Sequence, residues 1–313
     1  MKYEAYILFG ILVSFCFADF SAYGNEFYKD GENARISAMG GVSDLYIGLS
    51  DCIFNNNVHS SFNFSYKNKF SNLAKVSSFS ILFPDKKKPI FLKLINRSVD
   101  EIYDTNSAWI DDGDFVPEAG EIDYFKIKEI KQQEIGISLT TVRSFKSYII
   151  GFSFKPSFIN LAEFSGYGFS FDIITLKQLS RKLNFIMEIN DLFAFKYWNT
   201  ESFEEFSPMI RSGVFYGNSF FNGGFYFGGN INDDTPYKYN VGIEFIKDEY
   251  MFFRAGTSYE NLFSIGFGIK TSILNIDYGY LHSMEKNFSN ATQIISLKIS
   301  LDDLVLLRGK IKP

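Results

Sequence analysis

From residue 262 to 270 polar and apolar side chains alternate without a break. Phe263, Ile265, Phe267 and Ile269 fall on one side, and Ser264, Gly266, Gly268 and Lys270 on the other. Residues 294–301 repeat the device, Ile295, Leu297, Ile299 and Leu301 opposing Ser296, Lys298 and Ser300. A period of two marks a strand, because successive side chains leave opposite faces of the pleat. One face here is aromatic and aliphatic, the other small or charged, which suits a sheet with lipid on one side and water on the other.

From Ser60 onward such runs recur. They predict strands over 62–67, 76–83, 90–97, 134–142, 148–156, 167–176, 183–190, 208–216, 220–228, 239–246, 251–258, 262–270, 273–281 and 293–301. That is about fourteen, an even number as in bacterial single-chain barrels. The connections alternate in length as such barrels require, short turns at one end and longer loops at the other. Residues 84–88, 144–146, 177–182, 217–219, 247–249 and 271–272 are tight; 98–133, 191–207 and 282–292 are the longest of the other set. Residues 259–261 break the rule. The expected fold is all-β, a transmembrane antiparallel β-barrel with an N-terminal luminal plug or hatch. The division is a signal peptide over 1–18, the hatch over 19–59, the barrel over 60–301 and a tail over 302–313.

The hatch is assigned because residues 19–59 lack sustained alternation, and a segment ahead of a barrel is most cheaply housed inside it. Gly40-Gly41 permits a tight turn or a close backbone approach. It is not a phosphate loop, since the glycine spacing and a following Lys-Ser/Thr are missing. Residues 5–18 form an apolar run too short to span a bilayer as a helix, and they read as a secretory signal cleaved after Ala18. A lipid attachment at Cys16 is the alternative, disfavoured by Phe15 where a small residue is wanted. Cleavage leaves Cys52 as the single cysteine, so no internal disulfide forms; it reads as a small buried hydrophobe.

Composition adds weight to the barrel. Aromatics make up 19% of the 313 residues, with 37 Phe and 19 Tyr, and aromatic girdles mark transmembrane barrels. The mean hydropathy of -0.04 follows when lumen-facing polar residues dilute lipid-facing ones. A net charge of -5 argues against nucleic acid as a partner, which demands clustered Lys and Arg.

The motif Asn33-Ala-Arg-Ile-Ser-Ala-Met-Gly-Gly-Val42, with Asp44 and Asp51 and then Phe54-Asn55, resembles the opening of the PorV/PorQ-type outer-membrane proteins, relatives of the FadL long-chain fatty-acid transporters. Where that family has Asn-Pro-Ala, this chain has Asn55-Asn56-Asn57. The Asp/Gly-rich stretch 101–128, the stretch 163–172 with 183–192, and Asp277-Tyr-Gly-Tyr280 are similar to further family segments. The resemblance implies a FadL-like barrel of fourteen strands with a hatch, and places Arg35, Gly40, Gly41, Asp44 and Asn55 in the hatch and its ligand contacts. It implies either transport of a hydrophobic small molecule or a type IX secretion role with an exported protein or the secretion machinery as partner. A structural surface protein is the third reading. Outer-membrane lipid is the partner common to all three.

Charges on the polar side of the strands should face the lumen, because a Lys or Arg at the bilayer midplane costs about 2–4 kcal/mol. These are Lys155, Asp172, Arg211, Glu244, Arg254, Lys270, Asp277 and Lys298, a luminal polar network in which Arg35 pairs with Asp277 or Glu244. Asp111, Asp112, Asp114, Glu118 and Glu121 crowd the longest loop with hard oxygen donors suited to Ca²⁺, a solvated acidic loop being the alternative. No other cofactor is expected, and no enzymatic activity. His59, Ser60 and Asn63 carry catalytic residue types, but adjacent strand residues point to opposite faces, out of the reach a base and nucleophile need.

Overall fold

The computed structural model describes residues 27–43, 45–54, 58–69, 72–105, 107–110, 113, 119–145, 148–230, 237–259, 262–283 and 291–301. Its alternating runs become fifteen strands. They are β1 (Ser61–Lys69), β2 (Ala74–Phe83), β3 (Ile90–Asp104), β4 (Lys128–Phe145), β5 (Tyr148–Leu161), β6 (Phe164–Gln178), β7 (Leu183–Trp198) and β8 (Phe203–Glu205). They continue with β9 (Met209–Gly217), β10 (Phe221–Asn230), β11 (Lys238–Lys247), β12 (Met251–Ser258), β13 (Leu262–Lys270), β14 (Leu274–Ser283) and β15 (Ala291–Ser300). Neighbours in sequence pair antiparallel, β7 pairs with β9, and β1 returns to β15 from Ser61↔Ser300 to Asn68↔Gln293. The three-residue β8 pairs only with β7, so the ring has fourteen staves. Closure removes the unpaired edges that lipid could not satisfy.

Burial is inverted relative to a water-soluble protein. Phe263 and Ile265 are each 48% exposed, whereas Ser264 between them is 1% exposed and Glu244 on β11 is fully buried. The exposed face carries Leu92, Leu94, Ile137, Phe152, Phe154, Phe225, Phe253 and Ile276 around the ring. Exposed aromatics gather toward the ends, Phe83, Phe145, Tyr148 and Tyr250 at the tight turns and Tyr103, Tyr167 and Phe203 at the other end. An apolar band flanked by aromatic girdles, around a polar interior, is a transmembrane barrel.

Two expectations about the strands need correction. The long connections are shorter than the alternation suggested, because β3 to β7 run on to 14–18 residues. The segment 157–166 is mostly strand, closed by Ala162 at φ 53° and Glu163. The segment 191–207 is mostly β7 and β8. In β7 the alternation resumes past the irregularity at Asp191, with Phe193 exposed and Ala194 and Lys196 buried, whereas 98–104 and 128–133 of β3 and β4 carry polar residues on both faces. At the tight-turn end, Asp85 accepts the N–H groups of Lys87 and Lys88 at 2.7 and 2.8 Å, which hold its carboxyl below the usual carboxylate range. The expected signal peptide and C-terminal tail lie outside the described residues.

Inside the ring lie three short helices, α1 (Phe27–Asp30), α2 (Ala34–Ala38) and α3 (Leu45–Phe54). Asn33 caps α2 by accepting the Ile36 N–H at 2.9 Å. Its far end turns through Gly40 at φ 65° and Gly41 at φ 83°, and the Gly41 N–H returns to the Ile36 carbonyl at 3.0 Å. This left-handed closure is the conformation glycine adopts without a Cβ clash.

Candidate functional site

Segment 27–43 is held to the lumen wall through its backbone and several of its side chains. Ser296 Oγ accepts the Ala34 N–H at 2.7 Å. Ser264 Oγ accepts the Gly40 N–H at 3.1 Å and donates to the Ala38 carbonyl at 2.9 Å. Asn240 Nδ2 donates to the Gly40 carbonyl at 2.6 Å, and the Tyr226 hydroxyl to the Ser43 carbonyl at 2.8 Å. The Tyr28 hydroxyl reaches the Pro156 carbonyl at 2.6 Å. Each bond contributes on the order of 1 kcal/mol net, and leaving a buried backbone group unmet would cost more.

The wall makes room for this contact with glycines. Gly224, Gly242, Gly256, Gly266 and Gly279 face inward on β10 to β14, Gly242 directly opposite both Gly224 and Gly256. A Cβ on Gly242 would lie 2.2 Å from the Met39 carbonyl oxygen, one on Gly256 2.2 Å from the Gly40 nitrogen, and one on Gly266 2.4 Å from the Ala38 Cβ. Gly136 does the same for Phe27, whose ring Cζ would stand 2.5 Å from a Cβ there. Small residues spaced in alternation were visible in the sequence as a polar face. That those on neighbouring strands line up into one groove depends on register.

The charges form separate clusters rather than one network. Arg35 donates to both Glu244 carboxylate oxygens at 2.8 Å, Arg254 Nε to Glu244 at 2.6 Å, and Arg254 Nη1 to Asp277 at 2.7 Å. Glu244 also accepts from Asn222 at 2.7 Å. A second cluster joins Lys155 to Asp172 at 2.7 Å and to Asp191 at 3.1 Å, with Ser170 donating to Asp191. A third pairs Arg211 with Glu188 at 2.6 Å. Toward the long-loop end Asp30 holds Lys69 and Arg97, and Arg97 reaches Glu134. Lys270 lines the lumen without a carboxylate pairing among the described ion pairs.

Asp191, Glu188, Asp30 and Glu134 had not been singled out in the sequence. Asp191 sits at φ 57° in a bulge of β7, where Phe171 and Ile173 of β6 face Phe193 and Ile189. The bulge aims its carboxylate inward, and its N–H also donates to Asp172 at 2.9 Å. A bulge is invisible to a strict period-two reading, so Asp191 had fallen in a loop. Asp44, Asn55, Asp111, Asp112 and Asp114 lie outside the described residues. Glu121 accepts the Trp109 indole N–H at 3.0 Å. His282 stacks on Tyr280, and His59 is exposed at the start of β1.

Two cavities flank the luminal segment. One, of about 550 Å³, opens between the segment and the long-loop end and is lined by Lys67, Lys69, Arg97, Lys238, Tyr259 and Thr292 among others. The second, of about 510 Å³, lies between α2, α3 and the wall, and takes lining residues from every strand of the ring. Lys29, Glu32, Met209 and Arg211 border both. Each volume suits a small molecule. In the second cavity Leu45, Leu49, Leu82, Phe91, Ile246 and Phe252 form an apolar part. Behind it α3 closes a core with Val142, Ile149, Ile174, Leu176, Ile186 and Phe215. Burial pushes the Cys52 thiol on α3 up to about 11, consistent with a packed rather than reactive side chain.

No family model matches the chain, and no curated protein matches it. Solved structures do. The toluene transporter TodX of Pseudomonas putida aligns with a TM-score of 0.63 at 9% identity, covering 91% of this chain and 100% of TodX. The monoaromatic hydrocarbon channel CymD aligns at 0.57 and 11% identity, covering 88% and 99%. A FadL homologue of Pseudomonas aeruginosa aligns at 0.53 and 9% identity, covering 85% and 97%. At these identities the likeness is one of fold: the chain has the FadL-like barrel. Greasy outside, polar inside and closed, such a barrel resides in the bacterial outer membrane.

Proposed function

We propose that this chain binds a small hydrophobic molecule in the outer membrane and passes it across, with residues 27–54 as the hatch. The observation that carries this reading is the second cavity, sized for a small molecule, apolar on one part and bordered by the hatch itself. The hatch rests on the wall through hydrogen bonds and ion pairs, Arg35 with Glu244 and Asp30 with Lys69 and Arg97, contacts that can be exchanged without opening the ring. The fold likeness to a toluene transporter and a monoaromatic hydrocarbon channel supports the same reading.

A second reading follows the PorV/PorQ resemblance, a carrier in protein secretion. The β3–β4 hairpin beyond the membrane favours it, since Tyr103, Ile110, Tyr124 and Phe125 are all more than half exposed there. Exposed apolar clusters mark interaction surfaces.

Native mass spectrometry of the detergent-purified barrel separates the two. The first reading expects a hydrophobic small molecule retained at one per barrel. The second expects a co-purifying exported protein, lost in Tyr124→Ala with Phe125→Ala. Recovery of neither would overturn both.

A further inference from the structure

The tight-turn rim of the barrel divides into two unlike arcs. The turns joining β2 to β3, β4 to β5 and β6 to β7 stand side by side along six adjacent strands, an arc of about 24 Å at the usual strand spacing. The first turn holds Lys86, Lys87 and Lys88, and the last holds Arg181 and Lys182, all exposed. Arg143 and Lys177 stand at the ends of β4 and β6 beside them. Across residues 84–89, 143–148 and 177–182 the single carboxylate is Asp85. It stands in the field of Lys87 and Lys88 and accepts their backbone N–H groups. The rest of the rim is neutral or acidic. Residues 217–220 carry no charge, Lys247 is followed by Asp248 and Glu249, and Leu301 is followed in sequence by Asp302 and Asp303. Lys270 is the one charge at the β13–β14 turn, and Asp51 lies on α3 inside the ring.

Lysine is common on solvated turns; what sets this arc apart is where two of its cations point. On β4 Val142 is buried in the wall, and Arg143 shares the outward face of the exposed Phe145. On β6 Leu176 is buried, and Lys177 lies in register with the exposed Phe185 of β7. The Lys177 Nζ stands 5.1 Å from the ring centroid of Tyr148, on the strand between β4 and β6. Arg143 and Lys177 therefore flank one exposed aromatic on the lipid-facing wall, at the level of the girdle. A cation facing hydrocarbon is costly at mid-depth and cheap at the headgroup level, where its stem lies along apolar surface and its head reaches outward. At the far end of these strands cations meet carboxylates, Asp100 standing between Lys75 and Lys131. Among the described residues Arg143, Lys177, Arg181 and Lys182 enter no ion pair.

The tight turns of such barrels face the periplasm. We infer that this arc binds anionic phospholipid headgroups of the periplasmic leaflet, Arg143 and Lys177 holding a phosphodiester beside Tyr148 and the turn lysines meeting its neighbours. The guanidinium fork takes two phosphate oxygens at once, and compact ammonium groups add attraction from many directions. Clustered cations beside a membrane draw anionic lipid in this way. The site lies on the outer wall and is independent of any cargo in the lumen.

Native mass spectrometry of the full barrel in a neutral detergent tests it, with dioleoyl phosphatidylglycerol and dioleoyl phosphatidylcholine supplied in equal amounts. Phosphatidylglycerol should be retained over phosphatidylcholine by about fivefold or more, the effect of one cation at a charged surface, and less so in high salt. Arg143→Gln with Lys177→Gln should bring the two lipids level, whereas Arg143→Lys with Lys177→Arg should keep the preference. Lys86→Gln, Lys87→Gln and Lys88→Gln together should lower the number of phosphatidylglycerols retained, and an unchanged number would strike the turn lysines from the site. Lys75→Gln with Lys131→Gln, at the other end, is the control, and heat-modifiable mobility on a gel reports folding of each variant. Equal retention of both lipids by the parent would overturn the site, even with an acidic protein retained in their place. A preference that survives the double change to glutamine would overturn it as well. Either result leaves the luminal reading standing.

Discussion

The two halves of the lumen wall share one strand architecture and differ in what points inward. From β10 to β14 the inward positions are Gly224, Gly242, Gly256, Gly266 and Gly279, and the chain's own segment 34–42 fills the space they leave. From β15 through β5 the inward positions include Lys298, Asn63, Ser80, Lys93, Ser138 and Ser153, which line a cavity that extends across the lumen to Asn222, Glu244 and Arg254. Side-chain volume on the inner face decides whether the lumen is occupied by polypeptide or left for a ligand. Charge is paired on both sides. On the filled side Arg35, Glu244, Arg254 and Asp277 close on one another, because a buried charge without a partner is costly. On the other side Lys155 closes in the same way on Asp172 and Asp191.

The comparison breaks most severely if the filled half loses its glycines. Gly256→Leu places side-chain atoms where the Gly40 backbone now sits, and backbone cannot rotate away as a side chain would. Overpacking of this kind costs about 3 kcal/mol, and expulsion of the segment is the cheaper outcome. Limited proteolysis should then cut within residues 27–43 while the ring keeps its resistance to heating in detergent. A segment that stays protected would refute the account.

A smaller effect tests the charges that lock the segment. Glu244→Gln leaves Arg35 and Arg254 without their shared carboxylate, and Arg254 retains Asp277. Removing one partner of a buried pair costs about 3 kcal/mol, less here because Arg35 is partly solvated. Thermal unfolding should shift down, and adding Arg35→Gln should cost little more than the single change. Additive losses would mean the pair is not coupled.

The smallest effect belongs to the open half. Ser80→Leu points into the cavity rather than into packed atoms, so stability should change by within about 0.5 kcal/mol. Ligand retention in the mass spectrum should fall. A large loss of stability there would show the cavity to be packed.

Much of this was legible in the residues. The runs 262–270 and 294–301 disclose their two faces because lipid and water impose opposite demands on alternate positions. Charges such as Glu244 and Arg254 could be assigned inward on cost alone. The tall parts of β3 and β4 could not be read, since 98–104 and 128–133 carry polar residues on both faces. Asp191 was hidden by a bulge that resets the period.

Alternation along the chain determined that this protein is a closed ribbon with its greasy side outward, because each strand carries that information in its own period of two. Only the tertiary structure decided which inward residues meet. The glycine groove and the four ion-pair clusters arise from register between strands distant in sequence. No local pattern of side chains states that register.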